Sequence, residues 1–489
     1  MNTFFRNMMT QNGNQPSGIN WVATSWIGIF LILTGCSIQE NAREKSLTAG
    51  TDQVWITSAD QSLLLNHQVI GRDSDTLSPQ VVIRIDTGTT MQAVQGFGFS
   101  LTGGSAELIR RMDQQHRLAL LTELFSPDEL GVSYLRISMG ASDLDAEVFS
   151  YDDLPEGATD PEMAYFSLGR DTVNLIPLLL EIMAIRPDLK IMASPWSAPI
   201  WMKTNGQSVG GSLKPEYYPS YAQYFVRYVT DMALHGLTID AITIQNEPEH
   251  GGNNPSMVMT AAEQADFIKQ DLGPAFRAEG INTKILIWDH NCDHPEYPLQ
   301  ILNDPEASPF VDGTAFHLYA GEVTALGQVH QTFPEKAIYF TEQWTGARGD
   351  FGGDLLWHIK NVLIGALQNW SSVVLEWNLA SDPDFEPHTP GGCTECKGAL
   401  TLDGDRITRN VSYYIIGQAA RFIPPGSVRI GSSGGMGISQ VAFRRPDGEI
   451  VLLVLNENED AVSVKVVGGA RPTTFLLPPK SAGTLVSQP

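Results

Sequence analysis

Short apolar segments that read as strands alternate with helical segments through most of this chain. Eight such strands follow one another from Ala93 onwards, and each ends in polar or aromatic residues. This layout is typical of a (β/α)₈ barrel, whose chemistry collects at the carboxyl ends of its strands. A doubly wound open sheet is the competing topology, but it normally has an early glycine-rich phosphate turn, and none stands out here. The predicted fold class is therefore α/β, a TIM barrel with strands at 95–100, 132–137, 190–194, 241–245, 284–288, 313–317, 337–340 and 372–377 and helices including 103–124, 222–235, 261–277 and 353–369.

The pattern changes from about Gly426 to short strands separated by turns, with apolar runs at 441–443, 450–455 and 462–466. Such spacing predicts a small β-sandwich appended to the barrel. The strand-like segment before the barrel needs partners, so we expect it to join this sandwich. The predicted domains are a signal peptide at 1–36, a linker at 37–53, sandwich strands at 54–90, the catalytic barrel at 91–420 and the C-terminal sandwich at 421–489.

The N-terminus has the features of a targeting segment. An apolar run at 21–33 follows Arg6 and ends in Leu33-Thr34-Gly35-Cys36, which resembles a lipoprotein processing site. The run is shorter than the roughly 20 residues of a membrane span and suits a signal peptide, although an uncleaved anchor helix is the alternative. We expect Cys36 to carry lipid and the protein to be exported, to the periplasm or to the cell surface as an outer-membrane lipoprotein.

Charge and cysteine usage exclude several classes of function. The net charge of −24 argues against nucleic acid or an anionic membrane surface as the main partner. In an exported protein, Cys393 and Cys396 are a plausible tight disulfide; a CxxC can also be half of a zinc site, but the sequence contains no second one. The histidines of the segment 290–294 match no standard metal-ligand spacing. We therefore expect no metal and no cofactor.

Two of the predicted barrel strands stop abruptly at a glutamate. Glu247 follows the apolar run 241–245, and Glu342 follows the run 337–340. A carboxylate at the end of a buried strand is costly unless it has a partner or a function. Two carboxyl groups about 5–5.5 Å apart are what a retaining glycosidase needs, one to protonate the leaving oxygen and one to attack the anomeric carbon. Strands four and seven could bring this pair together across the mouth of the barrel.

Structural explanations of the same residues remain open at this point. Glu247 could be a structural partner of Arg136, and Arg136 could either neutralise the surroundings of the nucleophile or simply pair inside the barrel. Glu249 and Glu376 are rival carboxylates, but Glu249 belongs to a loop, and strand alternation sends Glu376 to the opposite side from Trp377. In the same way Trp196 and Trp377 could be core aromatics, Asp143 a solvated loop residue, and His290 and His317 structural histidines.

Six segments of this chain match the motifs of a known family, in the order in which that family has them: 95–98, 135–140 with Ser142-Asp143, 193–206, 245–249, Thr341-Glu342 and 377–380. Together they resemble glycoside hydrolase family 30, the family of glucosylceramidases and related bacterial glycosidases. The long Ser-Pro-Trp block at 193–206 is highly specific, whereas Asn-Glu-Pro is shared by many barrel glycosidases. The loop 391–396 resembles bacterial members, which include enzymes acting on β-1,6-linked glucan.

The resemblance implies a barrel with a side β-sandwich, retaining chemistry and no metal. It assigns the acid/base role to Glu247 and the nucleophile role to Glu342. The residues implied or expected to contact the substrate are Asp143 and Trp196 in the pocket of the terminal sugar, Asn246 at its 2-hydroxyl, Trp377 as a stacking platform, Tyr319 near the nucleophile, and His317 and Arg136.

The function expected is retaining hydrolysis of β-glucosidic bonds by double displacement, of the glucosylceramidase, β-glucosidase or β-1,6-glucanase type. The partner is a β-linked glucoside, glucan or glycolipid, and a bell-shaped pH–rate profile is expected because one carboxyl must be protonated while the other is ionised. The alternatives are a catalytically silent surface lipoprotein that binds carbohydrate, or a β-xylosidase or β-fucosidase of the same family. The oligomeric state is not predicted.

Overall fold

The computed structural model describes residues 51–71, 78–435 and 437–488. The predicted signal peptide, the lipidation of Cys36 and the predicted linker up to residue 50 therefore lie outside the described residues. Within the described ranges, no helix is long and apolar enough to cross a membrane.

Eight parallel strands close into a ring, which confirms the predicted barrel. Each strand pairs with its successor in the chain, and the eighth pairs with the first. In order they are Gly96–Leu101, Tyr134–Ser138, Lys190–Ser194, Ala241–Thr243, Lys284–Cys292, Gly313–Gly321, Ala337–Glu342 and Ser371–Asn378. The two predicted glutamates thus follow the fourth strand and end the seventh.

Three of the predicted helices are divided or interrupted in the structure. The helix expected at 103–124 is two helices, Gly103–Arg111 and Gln114–Phe125, because the Asp113 side chain caps the second by accepting from the backbone N–H of Gln115. Wide turns with π-type hydrogen bonding, Ile268–Leu272 and Ile359–Gly365, interrupt two other predicted helices. The remaining helical segments are Leu175–Ile185, Tyr218–Leu234, Ala261–Phe267, Gly273–Ala278, Glu296–Leu302, Thr324–Thr332, Phe351–His358, Ala366–Gln368 and Val411–Gly417, with short 3₁₀ turns at Ile200–Met202, Pro215–Tyr217 and Ser308–Phe310.

The barrel interior is layered, and the layers place the site. An apolar cluster fills its lower part, formed by Tyr134, Met192, Ala241, Leu286, Ala315, Tyr339, Val373 and Leu375. Side chains on a strand face the same side at every second residue, so the next inward position lies two residues further towards the carboxyl end of each strand. Five of these positions hold buried polar side chains, those of Arg136, Ser194, Thr243, His317 and Thr341. The apolar layer thus forms a floor on which a polar layer rests.

A second sheet of nine strands forms the appended domain, in the place where the sequence predicts a β-sandwich. Across the sheet the strands are Asn66–Ile70, Asp52–Ser58, Ser481–Ser487, Ile450–Asn456, Ile438–Arg444, Val428–Ser433, Val81–Ala93, Val462–Val467 and Thr473–Leu477. Three of them precede the barrel in sequence, as expected, and the first begins at Asp52, inside the segment expected to be a linker. All nine contribute to one apolar cluster.

Candidate active site

Glu247 and Glu342 meet at the mouth of the barrel. One carboxyl oxygen of each lies within 4.8 Å of the other, and both residues are more than nine-tenths buried. Inverting glycosidases separate their carboxyl groups by about 6.5–9.5 Å to admit a water, whereas retaining enzymes hold them about 5–5.5 Å apart. The spacing is that of a retaining pair. Both line a cavity of about 330 Å³.

The backbone around the site is held in an unusual conformation. Glu247, Trp288 and Asp289 all have positive φ, of 47°, 73° and 64°. Residues other than glycine adopt this region at a cost of about 1–3 kcal/mol, and such residues gather at functional sites. The N–H of Glu247 donates to the carbonyl oxygen of Asp289 over 3.0 Å, so the segment after the fourth strand is bonded to the carboxyl half of the fifth strand.

Arg136 connects the nucleophile candidate to the rest of the polar layer. Its guanidinium donates from Nη1 to Glu342 Oε2 at 2.6 Å, and from Nη2 to Asn246 Oδ1 at 2.6 Å and Asp289 Oδ2 at 2.9 Å. Both explanations of Arg136 therefore hold, since it neutralises the surroundings of Glu342 and pairs inside the barrel. Because it occupies the Asn246 oxygen, the amide nitrogen is the donor left for a sugar hydroxyl in the cavity that Asn246 lines.

Asp289 is the functional residue that the sequence reasoning missed. It is fully buried and accepts hydrogen bonds from Arg136, Ser194, Thr243, Thr341 and His317, at distances between 2.7 and 3.1 Å. Burial opposes its ionisation, but Arg136 and His317 hold the pKa of its carboxyl well below the usual range. The sequence did contain a signal for Asp289, because the apolar run 284–288 stops at this carboxylate. The same pattern led to the prediction of Glu342.

His317 and Tyr319 both contact the carboxyl pair, and their ring centroids lie 6.1 Å apart. The imidazole of His317 contacts Glu247 Oε1 through Nδ1 at 3.2 Å and Asp289 Oδ1 through Nε2 at 3.1 Å. Burial lowers its pKa, but Glu342 and Asp289 outweigh that effect and raise it to about 9. The Tyr319 hydroxyl donates to Glu342 Oε1 at 2.9 Å. Both residues therefore act on the charge of the pair.

The carboxyl pair shares its protons. Burial raises the pKa of Glu342, and the neighbouring carboxylate of Glu247 raises it further, against the opposing effects of His317 and Arg136. Burial also opposes ionisation of Glu247, but the hydrogen bond from His317 outweighs it and lowers its pKa. Two carboxylates this close cannot both ionise easily, so they titrate as a pair that holds one proton.

Aromatic rings and a disulfide form part of the cavity wall. Trp196 and Trp377 lie 5.4 Å apart between ring centroids, and the guanidinium of Arg136 lies over both rings, 4.8 and 5.7 Å from their centroids. They pack in one apolar cluster with Leu144 and with Cys396, which forms a disulfide with Cys393. Flat apolar faces of this kind suit the C–H faces of a sugar ring.

Asp143 completes this wall. Its Oδ2 accepts from the backbone N–H of Cys393 at 3.3 Å, so the disulfide loop fixes its position in the cavity lining. Burial and the charge of Glu342 raise the pKa of this carboxyl to about 7. It is thus placed to bond sugar hydroxyls as an acceptor or, when protonated, as a donor.

The two rival carboxylates, Glu376 and Glu249, lie outside the cavity. Glu376 points away from Trp377, towards His358, whose Nδ1 lies 2.8 Å from its Oε1. Glu249 is half exposed and bonds His294 at 2.6 Å. Neither rival carboxylate lines the cavity that the pair shares.

His290 lines the cavity, with its Nε2 4.0 Å from Glu247. Cys292 is a buried thiol that donates to the carbonyl oxygen of His317.

A metal ion is one conceivable occupant, because ligand atoms of Glu247, His317 and Glu342 all lie within 4.8 Å of one another. The donor set argues against it. Arg136 already places a positive charge 2.6 Å from Glu342, and both ring nitrogens of His317 are engaged with carboxylates. The expectation of no metal stays a prediction.

Comparison with known proteins gives this geometry its family. The glycosyl hydrolase family 30 TIM-barrel domain matches residues 94–423, and the family 30 beta sandwich domain matches residues 426–485. The endo-1,6-beta-D-glucanase neg1 of Aspergillus fumigatus is 35% identical over 409 residues, which cover 78% of this chain and 82% of that protein. The lysosomal acid glucosylceramidase of Mus musculus is 30% identical over 404 residues, 77% of each chain.

Among solved structures, the endo-beta1,6-glucanase BT3312 superposes with a TM-score of 0.84 at 33% identity, covering 90% of this chain and all of that one. These findings do not favour a silent binding protein, a xylosidase or a fucosidase. The chain belongs to glycosyl hydrolase family 30, and it is an O-glycosyl hydrolase that cleaves β-glucosidic bonds by the retaining mechanism general to that family.

Proposed function

We propose that the substrate is a β-1,6-linked glucan, cleaved within the chain. The linkage is supported by relatives named endo-1,6-beta-D-glucanase from three fungi, at 33–35% identity, compared with 28–30% for those named glucosylceramidase. The observation that carries the chemistry is the buried pair Glu247 and Glu342, with oxygens within 4.8 Å.

The surroundings of the cavity favour a polysaccharide over a glycolipid. Beyond the carboxyl pair its lining includes polar groups, among them His250, Asn253, His290 and Asn291. Donors and acceptors of this kind match sugar hydroxyls, whereas an acyl chain would leave them unpaired at a cost. Glucosylceramide is the second candidate, because the mouse lysosomal enzyme covers 77% of this chain at 30% identity.

The reaction that these residues support is a two-step displacement. Glu342 attacks the anomeric carbon while Glu247 gives its proton to the glycosidic oxygen, so the leaving sugar departs as an alcohol and a glycosyl ester remains on Glu342. Glu247 then takes a proton from water, whose oxygen attacks the same carbon and releases Glu342 as a carboxylate. Two inversions give net retention.

The neighbours of the pair have separate duties in this scheme. Arg136 and Tyr319 donate to Glu342 and favour its ionised form as nucleophile and as leaving group. Asn246 offers its amide to the sugar 2-hydroxyl, a contact that strengthens in the transition state. Trp196 and Trp377 support the ring of the sugar whose anomeric carbon is attacked.

Role assignment is tested by two substitutions. Glu342→Gln should abolish turnover without unfolding the protein. Glu247→Ala should slow substrates with poor leaving groups far more than activated aryl glucosides, which need no proton. Equal losses on an aryl β-glucoside and on a natural disaccharide in Glu247→Ala would show that the acid lies elsewhere.

Substrate choice is tested by product analysis against β-1,6-, β-1,3- and β-1,4-linked glucose oligomers and glucosylceramide. The proposal expects the β-1,6 series to be cleaved with the highest kcat/KM. Fastest turnover of glucosylceramide, or of another linkage, would overturn it.

We also propose that the enzyme is exported and held at a membrane by lipid on Cys36, in the periplasm or at the cell surface. The lipoprotein processing pattern at 33–36 supports this. Cys36→Ala should abolish labelling by a fatty acid in cells and move the protein out of the membrane fraction. Labelling that persists in the variant would refute the anchor.

A further inference from the structure

Lys203 is a buried lysine that takes no part in the two-step displacement. It is 0% exposed and is among the largest fully buried side chains of the described residues. Within that part of the chain it forms no ion pair with a carboxylate, and burial lowers its pKa to about 7. A lysine in such surroundings is costly unless its ammonium has hydrogen-bond acceptors. The acceptors of Lys203 therefore show which parts of the protein it holds together.

The ammonium joins two loops, the loop 207–211 and the loop 253–258, which we call the acid/base loop. Nζ donates to the carbonyl oxygen of Ser208 in the first loop at 2.9 Å, and to that of Ser256 in the second at 2.6 Å. The N–H of Ser256 also donates to the carbonyl oxygen of Ser208 at 3.0 Å. A carbonyl oxygen has two lone pairs and can accept both bonds. Lys203 thus fastens the acid/base loop to its neighbour from the inside of the protein.

The acid/base loop reaches the carboxyl group of Glu247. Asn253 lies in this loop, lines the active-site cavity and donates from Nδ2 to Glu247 Oε2 at 3.4 Å. The other oxygen of that carboxyl group, Oε1, contacts His317. Among the described residues, Asn253 is the hydrogen-bond partner of Oε2, so it fixes how the carboxyl group is turned in the cavity. A bond of 3.4 Å is near the limit of hydrogen-bonding distance, and a small movement of the loop would break it.

A second anchor holds the same loop. Asn254 donates from Nδ2 to the carbonyl oxygen of Pro390 at 2.8 Å, and its own carbonyl oxygen accepts a hydrogen bond from the Thr389 hydroxyl. These bonds do not involve Lys203, so they remain when its ammonium is removed. We therefore expect the loss of the ammonium to shift the acid/base loop rather than to unfold it.

We propose that Lys203 is a positioning residue for proton transfer, which keeps Asn253 bonded to Glu247 by fixing the acid/base loop. The inference rests on the proposed function, which gives Glu247 the role of acid and base. Lys203 acts through Asn253 and does not itself contact the substrate. Proton donation by Glu247 should therefore depend on Lys203, whereas attack by Glu342 should not.

The test measures kcat/KM in the full-length enzyme for an activated aryl β-glucoside and for an alkyl β-glucoside. This constant reports the steps up to the glycosyl ester, in which the alkyl leaving group needs a proton and the activated aryl group does not. Lys203→Met keeps the apolar stem and removes the ammonium. It should lower kcat/KM for the alkyl glucoside by about three- to tenfold, as expected for the loss of one hydrogen bond, and for the aryl glucoside by less than about twofold.

Lys336 provides a matched control. Its Nζ also donates to two carbonyl oxygens, those of Ser308 and Val311, both at 2.8 Å, and it does not line the active-site cavity. Lys336→Met should preserve the ratio of the two kcat/KM values. Asn253→Ala should reproduce the selective loss of Lys203→Met, and the combined variant should lose no more than either alone, because both changes break the same contact.

Equal losses on both substrates in Lys203→Met, or losses that multiply in the combined variant, would overturn the inference. If Lys203→Met does not fold, Lys203→Gln, which retains a neutral donor, takes its place in the same comparison. Glu247→Ala decides the proposed role of Glu247 separately. A selective loss in Glu247→Ala without one in Lys203→Met would leave that role standing and overturn the inference alone, whereas equal losses in Glu247→Ala would overturn both.

Discussion

Replacing Asp289 by asparagine should disturb both stability and its dependence on pH. The substitution keeps the shape of the side chain but removes the charge that Arg136 and His317 face. It also places an amide nitrogen where all the neighbours donate, so at least one buried donor loses its acceptor. Breaking a buried ion pair on one side costs about 3–5 kcal/mol, because the remaining charge is uncompensated.

The part of this cost that depends on pH comes from His317. Its pKa is raised to about 9, above the ordinary 6.5, so it contributes stability that is complete below about pH 6.5 and is lost as the pH rises through 9. At 1.36 kcal/mol per pKa unit, the full contribution is about 3.4 kcal/mol. Glu342 raises this pKa through its charge, and Asp289 raises it through both its hydrogen bond and its charge, so removing the charge of Asp289 should remove part of that contribution.

The measurement is the free energy of unfolding by urea at pH 6 and pH 9.5, for wild type and Asp289→Asn. The stability difference between them should be larger at pH 6 than at pH 9.5, by at most about 3 kcal/mol, and kcat should fall at both pH values because Arg136 and His317 lose their common anchor. Glu376→Gln, which removes another buried carboxylate that bonds a histidine outside the site, is the control and should preserve kcat. A stability difference that is equal at both pH values would refute the account of His317.

The remaining predictions concern binding and folding. Asn246→Ala should lower kcat/KM by about tenfold or more, because it removes a donor whose bond forms fully in the transition state, and it should also lower the melting temperature, because Arg136 Nη2 loses one of its two acceptors. Replacing Cys393 and Cys396 together by serine should raise KM several-fold in steady-state kinetics, since the disulfide supports the cavity wall. Gly98→Ala should lower the yield of folded protein in expression and circular dichroism, because a Cβ there would lie 1.9 Å from the carbonyl oxygen of Tyr134.

The sequence predicted the barrel and its carboxyl pair because both depend on local patterns. Each barrel strand is a short apolar run, and in the fourth and seventh the run leads to a glutamate near the carboxyl end of the strand. Since those ends converge in a closed parallel barrel, knowing the strand numbers of Glu247 and Glu342 was enough to bring them together.

What the sequence did not predict depends on contacts between distant segments. The hub at Asp289 needs donors from five other positions along the chain, and its positive φ leaves no mark in composition. The split of the first long helix depends on a single capping side chain, Asp113.

The charge arrangement explains how the resting site becomes competent. Burial raises the pKa of Glu342, and the hydrogen bond from His317 lowers that of Glu247, whereas the proposed double displacement requires the proton on Glu247. A glycosidic oxygen can only accept hydrogen bonds, so its arrival beside Glu247 favours the protonated form of that carboxyl. Arg136 and Tyr319 both donate to Glu342, so they stabilise the carboxylate that remains when its proton is transferred. In the proposed mechanism, substrate binding and ionisation of the nucleophile are therefore coupled, because both depend on the same proton.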